Sequence, residues 1–267
     1  MKSEKCMLVS LCFITAIIAS PFAASAAEEY RFEKAWPSVQ QPWYFSYPTD
    51  VAADASGNIY VLEGDTDRIR KLSPDGTFMK MWGGEGSGDG QFNGPYGLAI
   101  DSAGNIYIAD RWNHRIQKFS SDGVFITKWG KYGTGDGEFN NPRRIAIDAA
   151  GNLYVADSSN HRIQKFTSNG TFLAKWGSEG SEDGQFNEPY GIATDSSGNI
   201  YVADRKNHRI QKFTVNGAFL VKWGSSGTGE SMFNTPAGIA INADGDIYVT
   251  DSWNHRIQKF SVVGQIR

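Results

Sequence analysis

Four histidines at a fixed spacing, His114, His161, His208 and His255, are the first candidates for chemistry in this 267-residue chain. A ring of imidazoles would suit a transition metal. Carboxylates keep the same beat: Asp110, Asp157, Asp204 and Asp251, with Glu63 at the head of the series. Each stands five residues before an arginine (Arg115, Arg162, Arg209, Arg256 and Arg68). Pairs of that kind read as ion pairs that brace a loop. Asp89, Asp136, Asp183 and Glu230 sit in glycine-rich stretches that lack the dense alternating oxygen ligands of a calcium loop. The mature chain contains no cysteine, because Cys6 and Cys12 both lie in an N-terminal apolar stretch. Thiolate metal sites and cysteine nucleophiles are therefore excluded from it.

A further set is conspicuous for breaking the beat. After a recurring proline stand Thr49-Asp50, Tyr96-Gly97, Arg143-Arg144, Tyr190-Gly191 and Ala237-Gly238. A second variable pair reads Gly64-Asp65, Arg111-Trp112, Ser158-Ser159, Arg205-Lys206 and Ser252-Trp253. Residues needed equally by every unit are packing residues, so local function is expected where the units differ. The ligand-binding candidates are Tyr96, Arg143, Arg144, Tyr190, Arg111, Trp112, Arg205, Lys206, Trp253 and Asp50. Aromatic rings beside arginines are the composition of a binding hot spot.

The elements that must position these residues follow from the repeat itself. The anchor prolines Pro48, Pro95, Pro142, Pro189 and Pro236 recur every 47 residues, and Asn-His-Arg-Ile-Gln-Lys-Phe occurs four times unchanged. A period in this range with several short strands per unit signals a propeller. In the second unit the strand-like runs are 97–100, 106–109, 115–119 and 124–129, separated by Gly- and Asp-containing turns. The second run is apolar at every position, as a strand buried on both faces must be. We therefore expect an all-β propeller of five four-stranded blades, with units 48–94, 95–141, 142–188, 189–235 and 236–267. Segment 30–36 matches the fourth-strand pattern and is expected to complete the last blade and close the ring. A six-bladed relative or a truncated ring is the alternative.

In such a ring the histidines stand two strand spacings from the inner strand. They are then about 9.5 Å or more from the axis and roughly 11 Å from one another. Zinc needs its nitrogens at about 2 Å, so no shared metal is expected and the histidines read as structural.

Val-Ala-Asp, Asn-His-Arg-Ile-Gln-Lys-Phe, Lys-Trp-Gly and Phe-Asn-x-Pro together resemble the NHL repeat, over essentially the whole chain after residue 26. The resemblance implies a propeller whose first strand in each unit is innermost. It also brings enzymes into view, since related propellers include a peptide-amidating lyase and lactonases. The lyase's zinc histidines follow the inner-strand proline. The matching positions here are Thr49, Tyr96, Arg143, Tyr190 and Ala237, none of them histidine, and the mouth lacks a lactonase's carboxylates.

At the N-terminus, Lys2 and Lys5, an apolar run to Ala19 and Ala24-Ser25-Ala26 have the order of a cleaved secretory signal over 1–26. Losing Lys2, Lys5 and Glu4 with it takes the net charge from −3 to −4. A weakly acidic surface argues against nucleic acid, and no later run is long enough to span a bilayer. The expectation is a monomeric, secreted, periplasmic or cell-surface module without cofactor. It would bind a protein or an acidic glycan through its long-loop face; a lyase or lactonase is the alternative.

Overall fold

The computed structural model describes residues 44–261. The expected leader and the expected closing strand 30–36 lie outside the described residues. Blade 1 comprises β1 (Pro48–Ala53), β2 (Ile59–Glu63), β3 (Arg68–Leu72) and β4 (Phe78–Gly83). Blade 2 comprises β5 (Gly97–Ile100), β6 (Ile106–Asp110), β7 (Arg115–Phe119) and β8 (Phe125–Trp129). In blade 3 are β9 (Pro142–Ile147), β10 (Leu153–Asp157), β11 (Arg162–Phe166) and β12 (Phe172–Trp176). In blade 4 are β13 (Pro189–Thr194), β14 (Ile200–Asp204), β15 (Arg209–Phe213) and β16 (Phe219–Trp223). Blade 5 shows β17 (Pro236–Ile241), β18 (Ile247–Asp251) and β19 (Arg256–Phe260) among the described residues. Every blade is an antiparallel meander in chain order, so the fold is a five-bladed all-β propeller. Among the described residues no helix is long and apolar enough to cross a membrane.

The burial of each strand follows its place in the stack. β6 and β7 are buried at every position, while β8 alternates half-buried and exposed. Neighbouring blades share one core between them. Tyr107, Ala109 and Ile116 of blade 2 meet Ile145, Leu153, Val155 and Phe166 of blade 3, with Trp129 and Phe172 at the periphery. The same arrangement joins blades 1 and 2, 3 and 4, and 4 and 5. Gly170 in the turn before β12 has φ +84°, and a Cβ there would come within 2.5 Å of the Trp129 ring. The turn glycine is thus the seat on which the preceding blade's tryptophan lies.

Blade 5 departs from this scheme. Ile257 is 68 % exposed, whereas its counterparts Ile116, Ile163 and Ile210 are fully buried. A cleft of about 610 Å³ separates it from blade 1, lined by Val51 and Val61 on one side and Ile239, Tyr248, Thr250 and Ile257 on the other.

Between the second and third strands lies a single 3-10 turn, Arg111–Asn113 in blade 2, which the strand pattern did not announce. It places His114 just before β7 in the left-handed conformation (φ 53°). From there His114 Nδ1 accepts the Asn141 N–H of the next blade at 3.2 Å. His161 and His208 do the same for Glu188 and Thr235, at 3.3 and 3.2 Å. Blade 1 has Asp67 at this position, and its carboxylate accepts the Gly94 N–H at 2.8 Å. The histidines are interblade latches. An Nδ1 acceptor must be neutral, and burial holds the His114 pKa below its ordinary value. The stability this latch contributes is therefore present above pH about 6.5 and is lost as pH falls through the depressed folded value. Urea denaturation at pH 7 and pH 5 should show a smaller loss for His114→Asp, which copies blade 1, than for the parent.

Candidate functional site

The site residues stand where the innermost strands begin. In blades 1, 3, 4 and 5 the register shifts just after the anchor proline, between Pro48 and Asp50, Pro142 and Ile145, Pro189 and Ile192, and Pro236 and Ile239. A bulge there re-aims the following side chains toward the axis. Tyr96 and Tyr190 are each followed by glycine for a steric reason. A Cβ on Gly97 would stand 2.1 Å from the Arg143 carbonyl, and one on Gly191 would stand 1.9 Å from that of Ala237. The inner strands can close up only with glycine at these places.

Two contacts cross the axis. The Tyr190 hydroxyl donates to the Tyr96 hydroxyl, with the rings edge-on at 5.3 Å between centroids. Arg144 Nη1 donates to Asp50 Oδ1, and its Nη2 donates to the Thr49 carbonyl at 3.0 Å. The other Asp50 oxygen accepts the Leu98 N–H at 2.9 Å. Burial still raises the Asp50 pKa, against the opposing pull of Arg144. Burial, reinforced by the Tyr190 contact, pushes the Tyr96 phenol up to about 12. Tyr96 is therefore a neutral hydrogen-bonding group at pH 7.

Around this plug the cations stack on rings. The Arg143 guanidinium lies 4.4 Å from the Tyr190 centroid and 5.2 Å from that of Tyr96. Arg111 lies 3.9 Å over Trp112 and 5.8 Å from Tyr96. Arg205 sits 5.1 Å from Tyr190 and bridges to Glu188 at 3.3 Å, which Lys206 approaches at 3.9 Å. Arg111 and Arg143 have no carboxylate partner among the described residues. The Nε–H groups of Arg111, Arg143 and Arg144 are buried without an acceptor. Burial lowers the Arg111 pKa, and the like charge of Arg143 lowers it further. Trp112 is 47 % exposed and lies against Gly94, where a Cβ would meet its ring at 2.2 Å. A cavity of about 180 Å³ opens beside it, lined by Tyr47, Thr49, Asp65, Tyr96 and Arg111.

Of the sequence-predicted residues, the structure thus gathers Tyr96, Tyr190, Arg111, Trp112, Arg143, Arg144, Arg205 and Asp50. Lys206 joins only at the edge, through Glu188. Trp253 is 67 % exposed, and among the described residues no ring or cation contact ties it to the cluster. Asp50 and Arg144 are engaged with each other, which the sequence pattern did not show. Two participants were missed, Glu188 and Tyr47. Both lie just before an anchor proline, at a position that varies among the units as Tyr47, Gly94, Asn141, Glu188 and Thr235.

The regularly spaced acids behave as braces. Asp110 accepts from Asn93 N, Asn113 Nδ2, Arg115 Nε and Gln117 Nε2. In blade 1, however, Glu63 takes Arg70 at 2.7 Å instead of the expected Arg68. Arg70 occupies the place that glutamine holds in the other blades, so two-residue alternation puts it on the carboxylate's side. Asp89, Asp136 and Asp183 each pair with an outer-strand lysine (Lys128, Lys175, Lys222) at 2.6 Å. Among the described residues no three His, Cys, Asp or Glu side chains gather as metal ligands.

Comparison with known proteins places this architecture. A streptogramin B lyase structure is similar, with 17 % identity over 84 % of this chain and 72 % of that one (TM-score 0.61). So is a catalytically inactive histidine-to-alanine variant of virginiamycin B lyase from Staphylococcus aureus with quinupristin, at 16 % identity over 84 % and 73 % (TM-score 0.60). A protein of unknown function from Bacteroides caccae shares 16 % over 76 % and 70 % (TM-score 0.58). At such identities the likeness is one of fold. No curated protein matches the chain. The NHL repeat family matches at residues 92–119, 139–166, 186–213 and 233–260, each match running from the end of a link through the first three strands of the blade that follows. With four matched units and five blades, the chain belongs to the NHL-repeat β-propellers.

Proposed function

We propose that this protein is an exported binding module that recognises a protein or glycan ligand, with an anionic group, through the long-loop face of the propeller. The observation that carries the reading is the pair Arg111 and Arg143. Both are stacked on aromatic rings, partly desolvated and without a carboxylate partner among the described residues. A guanidinium fork so placed favours carboxylate or another oxyanion, and leaving it unpaired has a cost that an anionic ligand would offset. The cluster also lies where the units differ, which core packing does not require.

Screening the purified domain on glycan and surface-protein arrays should give a ligand. Arg111→Ala with Arg143→Ala should weaken its binding by about 2 kcal/mol, roughly thirtyfold, if these are hot spots. Melting temperature should hardly change, since among the described residues neither guanidinium makes a hydrogen bond. Arg144 is unsuited to this test because its loss would strand the buried Asp50. A ligand whose affinity ignores the double variant would move the site elsewhere.

The enzyme reading rests on the likeness to the streptogramin and virginiamycin B lyases. In one of them a histidine-to-alanine variant is catalytically inactive. Here His114, His161 and His208 are engaged as backbone acceptors. Turnover of quinupristin by the purified domain would favour the lyase over the binding module.

A further inference from the structure

We infer that the mouth of the propeller is a subsite for a carboxylated sugar, a uronic acid unit within a polysaccharide. This rests on the binding-face reading and specifies its ligand. Two neighbouring features meet here that a merely basic patch would not combine.

The first is the anion end. Arg111 and Arg143 both stand beside one phenol ring, Tyr96, at 5.8 and 5.2 Å, and the charge of Arg143 acts on Arg111, so two positive charges share this end of the mouth. Their Nε–H donors are buried and unused. Asp50 and Glu188 are already committed to Arg144 and to Arg205 with Lys206, and Asp65 stands at the ring end of the site. The second is the ring end. Trp112 is half-exposed with Arg111 stacked on it, and Tyr47, 62 % exposed, lines the same 180 Å³ cavity. That volume falls below the roughly 300 Å³ at which drug-sized pockets begin, and suits one ring-sized unit with the chain running out over the face. The C–H face of a pyranose packs on an aromatic plate. Its hydroxyls meet the polar rim, where Thr49 and Asp65 stand beside Tyr47.

An acidic peptide fits the same charges less well. Extended peptides are held by an unpaired strand edge and helical ones by an apolar groove. No apolar groove lines the mouth cavity, and although each first strand is the edge of its sheet, the next blade crowds it, as the Arg143 carbonyl does Gly97 and the Ala237 carbonyl does Gly191, leaving no room for an added strand. Plates and guanidinium forks on a loop face read planar rings and carboxylates instead.

The probe is a short oligogalacturonate, titrated calorimetrically against the full protein, beside its methyl ester, a sulfated glycan and polyglutamate. The oligogalacturonate should bind, and methyl esterification should weaken it by about tenfold or more, the scale of one charge-assisted contact. Arg143→Ala should weaken the acid by a similar factor and leave the ester unchanged. Trp112→Ala should weaken both. Polyglutamate binding as tightly as the uronate, or indifference to Trp112→Ala, overturns the sugar site and leaves a bare anion patch. If the uronate fails while an array ligand still depends on Arg111 and Arg143, the sugar inference falls and the binding face stands. If no ligand depends on these arginines, both fall.

Discussion

Deleting residues 27–36 should lower the melting temperature by on the order of 10 °C and promote self-association, as read by calorimetry and light scattering. In complete blades the fourth strand carries phenylalanine and, four residues on, tryptophan: Phe125 and Trp129, Phe172 and Trp176, Phe219 and Trp223. The phenylalanine packs on the third strand of its own blade, as Phe219 does on Phe213 at 6.0 Å, and joins the core shared with the blade before. In blade 5 the corresponding place is a cavity of about 360 Å³ lined by Tyr201, Val221, Trp223, Ile247 and Phe260. On the other face of β19 lies the cleft toward blade 1. Phe32 and Trp36 repeat the spacing. The expectation from sequence that 30–36 completes blade 5 rests on this repeat of the spacing. Truncating a packed Phe or Trp costs about 3–5 kcal/mol, and each kcal/mol moves the midpoint of a domain this size by about 2–4 °C. An unpaired β19 would also be a free edge, open to pairing with another chain. A deletion variant that melts like its parent would show that the ring closes another way. The double change Phe32→Ala and Trp36→Ala should reproduce most of the loss without shortening the chain.

Asp157→Ala should cost about 3–5 kcal/mol, the range for breaking a buried ion pair by removing one partner. Asp157 has no exposed side-chain surface and accepts from Asn140 N at 2.7 Å, Asn160 Nδ2 at 3.0 Å, Arg162 Nε at 2.7 Å and Gln164 Nε2 at 3.0 Å. Arg162 in turn donates to the carbonyls of Thr134, Gly135 and Glu138, on the link arriving from blade 2. Losing the carboxylate leaves a guanidinium buried at 7 % exposure and three more donors without their acceptor. Asp251→Ala is the control. Its Arg256 is 30 % exposed, so water can replace the lost partner and the cost should be visibly smaller. Urea midpoints of the two variants falling together would contradict the burial argument.

The strands were legible because the period is strict and β6 is apolar throughout; the expected runs 97–100, 115–119 and 106–109 match β5, β7 and, to within one residue, β6. Lone-chain patterning says little about turns whose form depends on hydrogen bonds, hence the unforeseen 3-10 turn ahead of His114. At the site, composition singled out residues that the structure brings together, without showing their pairings. Tyr96 with Tyr190, and Asp50 with Arg144, are 94 residues apart and meet only because alternate blades face one another across the axis. Nothing local encodes that. The Glu63–Arg70 pair was missed for the opposite reason: one extra methylene and one arginine in place of glutamine rewire a pattern that otherwise repeats.

The interblade latch has an evolutionary consequence. In each of the first four units the acceptor, Asp or His, and the N–H that it takes lie 27 residues apart within the same 47-residue stretch. A duplicated 47-residue stretch of gene would therefore arrive with both halves of its own fastening. It could be spliced between any two existing copies without redesigning either neighbour. Ring size in such a lineage can change in whole steps, while the few unlike residues at the mouth diverge independently of that count.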